Sequence, residues 1–198
     1  MTTFEYDLAG KRVWVAGHRG MVGSAIVRRL ATEEPSEVIV ASSGEVDLRD
    51  QAATQAFVED TAPDVAFVAA AKVGGIEANR TAQGEFLYDN LMISANVIEA
   101  ARQAGVERTV VLGSSCIYPR DAAQPMAEDA LLTGPLESTN EGYAIAKIAA
   151  LELAKMYRRQ YGMSVISLMP TNLYGPNDNY DLETSHVMAA VIRKTIDA

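Results

Sequence analysis

Five short apolar runs separated by stretches of helical periodicity constrain this chain more than any other feature. The runs are Arg12 to Ala16, Glu37 to Ala41, Asp64 to Ala69, Thr109 to Leu112 and Ser164 to Leu168. Met21 to Ala31, Gln51 to Asp60, Glu85 to Ala104 and Gly142 to Tyr161 read as the helices between them, the last two closed by Gly105 and Gly162. Runs that are apolar at nearly every position belong to strands buried on both faces, and intervening helices supply the covers. The expected fold is therefore α/β, a doubly wound Rossmann-type parallel sheet. A length of 198 residues with 48% hydrophobic content suits one such domain. In this fold ligands sit beyond the carboxyl ends of the strands. Gly17, the stretch Ala70 to Gly75, Ser114 and the stretch Pro170 to Tyr174 all fall there. Tyr118 to Thr139, with Pro119, Pro125 and Pro135, reads as a long loop over the substrate side.

The first turn carries Gly17-His18-Arg19-Gly20-Met21-Val22-Gly23. Its glycines are spaced three and three, where the dinucleotide fingerprint has two and three. The physics is shared: glycines permit a tight strand-to-helix turn and let backbone N–H groups approach a pyrophosphate at the positive end of a helix. His18 reads as a packed turn residue. An acidic residue ending the second strand would bond the ribose 2′-hydroxyl of NAD, but that end reads Ala41-Ser42-Ser43-Gly44, without a carboxylate. Arg19 could instead meet a 2′-phosphate, with Ser42 or Ser43 donating, so NADP is favoured over NAD.

Tyr143 and Lys147 stand four apart on one helical face, where a cation would favour the phenolate and bring the tyrosine below its unperturbed value of roughly 10. Ser114, after the fourth strand, could share a substrate carbonyl oxygen with Tyr143, so Ser114, Tyr143 and Lys147 outline a proton-donating site. Taken singly, Gly113-Ser114-Ser115 is also a common turn, Cys116 a core residue and His186 a surface residue near a helix start. Reference pKa values of roughly 8.5 and 6.5 would suit Cys116 and His186 as an acid–base pair. A net charge of −9 argues against nucleic acid or an anionic membrane as partner. One cysteine, no leader, no long apolar span and no metal-ligand cluster make a reducing cytoplasm the expected compartment.

Five segments read in order carry a resemblance: Gly17 to Gly23, Ala69-Ala70-Ala71-Lys72-Val73-Gly74-Gly75-Ile76, Gly113-Ser114-Ser115-Cys116-Ile117-Tyr118-Pro119, Tyr143-Ala144-Ile145-Ala146-Lys147 and Pro170-Thr171-Asn172-Leu173-Tyr174-Gly175-Pro176. From about Arg12 onward the chain resembles the GDP-L-fucose synthases, a family of extended short-chain dehydrogenase/reductases. The resemblance implies a GDP-4-keto-6-deoxy-D-mannose substrate, epimerised at C3 and C5 and then reduced at C4 by NADPH. It implies Cys116 as the base, His186 as the acid on the other face, Tyr143 as proton donor during reduction, and Lys147 on the nicotinamide ribose. It further implies NADP(H) contacts from Gly17, His18, Arg19, Gly20, Met21, Val22 and Gly23, from Ser42 and Ser43, from Leu112, Gly113, Ser114 and Ser115, from Lys147, from Pro170, Thr171, Asn172 and Leu173, and from His186. Lys194 takes the place of a basic residue facing the nucleotide sugar, and a homodimer through the helices near Glu85 to Ala104 and Gly142 to Tyr161 is implied. The chain departs from the family in lacking an arginine near Ser43 and in ending at Ala198. Residues 1–198 are thus expected to form an NADP-binding domain with the catalytic residues, the family's C-terminal substrate domain being largely absent. Two other readings stand beside this one: another nucleotide-sugar epimerase or dehydratase of the superfamily, and a non-catalytic dinucleotide-binding module. Cys116 and His186 separate the first from the synthases, since a dehydratase needs an acidic pair where this chain has Ser115-Cys116.

Overall fold

A computed structural model describes residues 6–182 and 184–197; the outer limits of the expected 1–198 unit lie outside the described residues. Five parallel strands form one sheet: β1 (Arg12–Ala16), β2 (Glu37–Ile39), β3 (Val65–Val68), β4 (Arg108–Leu112) and β5 (Val165–Leu168), in the order β2-β1-β3-β4-β5. The register sets Val13 beside Val65, Val68 beside Val111 and Thr109 beside Val165. The helices are α1 (Met21–Leu30), α2 (Gln51–Thr61), α3 (Ile76–Thr81), α4 (Gln83–Gln103), α5 (Glu141–Tyr161) and α6 (Val187–Ile196). The doubly wound parallel sheet is as expected, and most boundaries differ by one or two residues. β2 is shorter than Glu37 to Ala41: Val40 is exposed and outside the ladder.

The pleat divides β1 between two cores. Trp14 and Ala16 point to the side covered by α2, α4 and α5, where they meet Ala66, Val97, Ile98, Val111, Ala150 and Ala154. Val13 and Val15 point to the other side, against Leu30, Ile26 and Val27 of α1. Trp14 is the largest fully buried side chain, and its ring meets that of Phe57 on α2 at 5.4 Å.

The two long helices end as their sequences predict. Gly162 takes the left-handed conformation, φ 69°, and its N–H donates to the Arg158 carbonyl, closing α5. At the other end, a Cβ at Gly142 would come within 2.5 Å of the Gln83 carbonyl oxygen, so this glycine lets α5 start against α4. Because the strand order turns away from β1 in opposite directions, the carboxyl ends of β1 and β3 open a crevice, which the loops after these two strands line.

Candidate active site

The glycine turn is built as its spacing suggests. A Cβ at Gly17, where φ is +83°, would collide with the backbone of Ala70 after β3, and one at Gly23 would come within 2.1 Å of the Gly17 carbonyl oxygen. Gly20 is different: its Cβ would meet only the Gly17 carbonyl oxygen at 3.5 Å and would otherwise enter open space. Two glycines thus close the turn and the third keeps its outer side clear. No side chain caps the start of α1 and no acidic residue lies in its first turn, so its positive end faces the crevice. A cavity of about 720 Å³ follows, lined by the whole Gly17 to Gly23 turn, by Ser42 and Ser43, and by Ala69 to Val73. Its volume, cleared glycine and uncapped helix end fit a dinucleotide and its pyrophosphate.

The β2 end departs from expectation. Glu45 turns back so that one carboxylate oxygen accepts from both the Ser42 N–H, at 2.7 Å, and the Ser42 hydroxyl, at 2.6 Å. A carboxylate is therefore present where the strand end itself offers none, and the Ser42 donors are occupied. Those hydrogen bonds hold the Glu45 carboxyl below its usual range, with Arg19 and His18 adding to the effect.

One wall of the cavity is an ion network that sequence reasoning missed. Lys72 Nζ donates to Glu85 at 2.6 Å and to Asp89 at 3.0 Å, and Arg49 joins Asp89 to Asp47. The Lys72 backbone is pinned by Asn90, a fully buried amide on α4. Its Oδ1 accepts from the Lys72 N–H at 2.9 Å, and its Nδ2 donates to the carbonyls of Lys72 and Phe86. A buried, fully satisfied amide of this kind fixes a loop strongly. Only the oddity of an Asn inside an apolar helical face signals it in the sequence, because its partner lies 18 residues away.

Four of the five expected catalytic residues come together beyond β4. After Leu112 and Gly113, the chain makes a single 3₁₀ turn, Ser115–Ile117, anchored by the buried Ile117. Cys116 Sγ donates to Ser114 Oγ at 3.1 Å. From α5, Lys147 Nζ donates to the Leu112 carbonyl at 2.9 Å and lies 5.6 Å from the centre of the Tyr143 ring.

The titration of this cluster corrects the expected phenolate. Burial pushes the Tyr143 phenol well above its usual range, with the Cys116 charge adding to this and a hydrogen bond to Ser114 opposing it. Burial also brings Lys147, only 4% exposed, down to about 8. The Cys116 thiol is raised by burial, against the pull of Ser114 and the Lys147 cation. Loss of hydration is the largest cause in each case, so Tyr143 keeps its phenolic proton.

His186 is set apart. It caps the start of α6, is exposed, and lines the large cavity without a hydrogen bond to Cys116 among the described residues. The segment before it is fastened by the Gly75 N–H donating to the Thr184 carbonyl at 2.9 Å and by Asn177 Nδ2 donating to Ser24 Oγ at 3.0 Å. Pro170, Thr171, Asn172 and Leu173 follow β5 at the same sheet end as Gly113, whose N–H donates to the Leu168 carbonyl, but they do not line the large cavity. Lys194 is exposed in the last turn of α6 and does not line the large cavity. Among the described residues no three His, Cys, Asp or Glu side chains are grouped to hold a metal ion, and no helix is long and apolar enough to cross a membrane.

Residues 13–198 match the model of the NAD dependent epimerase/dehydratase family. The chain belongs to that family. Among curated members, it is 58% identical over 193 residues to a GDP-L-fucose synthase of Sinorhizobium fredii, covering 98% of this chain and 61% of that protein. The Escherichia coli GDP-L-fucose synthase is 50% identical over 191 residues, covering 96% and 60%. The chain thus spans about three fifths of the length of these relatives. Among solved structures, a GDP-D-glycero-L-gluco-heptose synthase from Campylobacter jejuni, determined in the presence of NADPH, superposes with a TM-score of 0.90 at 33% identity, covering 96% of this chain and 55% of that one. A GDP-L-fucose synthetase of Naegleria fowleri bound to NADP superposes with a TM-score of 0.87 at 29% identity, covering 95% and 62%.

Proposed function

We propose that this chain carries the NADP(H)-binding and catalytic part of a GDP-L-fucose synthase, which epimerises GDP-4-keto-6-deoxy-D-mannose at C3 and C5 and reduces it at C4. The observation that carries this reading is the cluster of Ser114, Cys116, Tyr143 and Lys147 at the carboxyl end of the sheet that also holds the glycine-turned cavity. Names and cofactors of the relatives support the same substrate class and nucleotide.

The residues fit three steps at one oxygen. A C4 ketone acidifies the hydrogens on both neighbouring carbons. Cys116 Sγ, as thiolate, takes the proton from C3 or C5, and the electron pair moves onto the C4 oxygen. There the hydroxyls of Tyr143 and Ser114 stabilise the enolate. His186 returns a proton to the carbon from the opposite face. An acid and a base working on opposite faces of one ring must stand on either side of it, and His186 comes from a different segment than Cys116, at the start of α6. Gly17 to Gly23 and the β2 end would hold NADPH, which when bound would supply the hydride for reduction at C4. Tyr143 gives its phenolic proton to the C4 oxygen in that step, and the Lys147 cation stabilises the phenolate left behind. The same cation draws the Cys116 thiol toward thiolate.

Residues 1–198 form the dinucleotide domain in this reading, and most guanosine contacts belong to the part of the relatives beyond the match, with Lys194 contributing from this side. The working form is a cytoplasmic homodimer through α4 and α5, whose outer surfaces expose Tyr88, Leu91, Ile145 and Met156. The test is a titration of the chain with NADPH and NADH, beside turnover of the GDP-keto sugar. Saturable NADPH binding that Arg19→Ala weakens is expected, with turnover well below that of a version extended to the relatives' length. Absence of binding by either nucleotide would refute the reading.

A further inference from the structure

Among the charged side chains lining the cavity, Lys72 and Arg49 are already committed to Glu85, Asp89 and Asp47. Arg19 makes no hydrogen bond or ion pair among the described residues, and its charge adds to the Ser42 hydrogen bonds in holding the Glu45 carboxyl below its usual range. Glu45 follows Ser42 by three positions in a tight turn, where its N–H and that of Val46 both donate to the Ser42 carbonyl at 3.0 Å. Its carboxylate folds over the same serine and accepts both of that residue's donors. At the β2 end of a dinucleotide cavity, those two donors and the Arg19 guanidinium are what would recognise a 2′-phosphate.

We propose that Glu45 sets the dinucleotide selectivity of this cavity, its carboxylate holding the Ser42 donors in competition with a 2′-phosphate. The inference rests on the dinucleotide reading above and adds the residue that limits its preference. The competition follows from charge and valence. Ser42 has one N–H and one O–H, and both point at one Glu45 oxygen. A 2′-phosphate entering there meets a carboxylate of like sign and must displace it to gain those donors. A 2′-hydroxyl carries no charge and can itself donate to the free carboxylate oxygen. Glu45 thereby takes on part of the role that a strand-end acid has in NAD-specific cavities, from three residues further along the chain. A chain with Arg19 but without Glu45 would prefer the phosphorylated nucleotide more strongly than this one does.

The experiment measures dissociation constants of the full chain for four probes: NADPH, NADH, 2′,5′-ADP and 5′-AMP. It compares wild type with Glu45→Gln and Glu45→Ala, each checked for an unchanged unfolding temperature. Glutamine keeps an oxygen that can accept from Ser42 and removes only the charge. Removing a like charge from beside a phosphate should raise the affinity ratio of NADPH to NADH about tenfold. The same change should appear in the ratio of 2′,5′-ADP to 5′-AMP, which reads only the adenosine end. Glu45→Ala should move both ratios in the same direction. If Glu45 merely caps the turn, Glu45→Gln leaves both ratios unchanged and Glu45→Ala weakens all four probes alike, and the inference is overturned. If NADPH binds tightly to wild type and the ratios do not move, the inference alone fails and the dinucleotide reading stands. If wild type binds none of the probes, both fail together.

Discussion

Lys147→Met should make the protein more stable near neutral pH while removing its activity, and the size of the effect can be worked from the site. Lys147 is 4% exposed, and burial brings its ammonium from 10.5 down to about 8. At about 1.4 kcal/mol per pH unit, the folded state holds this charge at a cost of about 3 kcal/mol below pH 8. Methionine has a similar length and carries no charge. It also leaves the Leu112 carbonyl without its donor, which costs about 1–3 kcal/mol if water does not replace it. The net gain near pH 7 is therefore about 0–2 kcal/mol. The pH dependence is sharper than the net value. The folded pKa of Lys147 is the lower one, so the unfolded chain binds the proton more tightly, and wild-type stability rises as pH climbs from about 8 toward 10.5. By pH 10 about 2.5 kcal/mol of that gain should be present, and the variant should lack it. Urea unfolding followed by the fluorescence of the buried Trp14 at pH 7 and pH 10 measures both proteins, and groups that do not feel the Lys147 charge cancel in the comparison. A wild-type-to-variant difference that stays constant between the two pH values would refute the buried-cation account.

Tyr143→Phe should lower C4 reduction by more than about a hundredfold, roughly 2.7 kcal/mol of barrier, while NADPH binding stays within about twofold, because only the hydroxyl is lost. Gly23→Ala should abolish detectable NADPH binding and lower the unfolding free energy by about 2 kcal/mol or more, since its methyl group would lie 2.1 Å from the Gly17 carbonyl oxygen; calorimetry and a cofactor titration read the two effects. Cys116→Ser and His186→Gln should each reduce solvent deuterium entry at C3 and C5 more than hydride delivery to C4, and equal loss of both in either variant would return that residue to a structural role.

The fold was legible because its signals are local. β1, the glycine turn and α1 follow one another within twenty residues, and the apolar strands and the glycines ending α4 and α5 leave little choice of architecture. α3 was missed because six residues after Gly75 are too few to show a helical period. The site was legible where spacing along one element decides it, as for Tyr143 and Lys147 on α5, or where a turn keeps neighbours together, as for Ser114 and Cys116. It was illegible where geometry depends on chain reversal or on burial. Glu45 lies beyond the strand end that a sequence reading inspects, and only the turn at Ser42 brings it back. Asn90 reaches a loop 18 residues earlier. The direction in which Tyr143 and Lys147 titrate follows from how deeply both are buried, which spacing does not encode.

In the proposed function, one oxygen-binding site serves both proton exchange and reduction. The most direct measurement counts deuterium at C3 and C5 for each C4 reduction when GDP-4-keto-6-deoxy-D-mannose is supplied in D₂O with NADPH, with protein in excess over sugar so that slow turnover still registers. Each molecule of reduced product is expected to carry solvent deuterium at both C3 and C5 and a hydrogen from NADPH at C4. Reduced product with unlabelled C3 and C5 would contradict it, leaving a plain keto-sugar reductase in which Cys116 has no part.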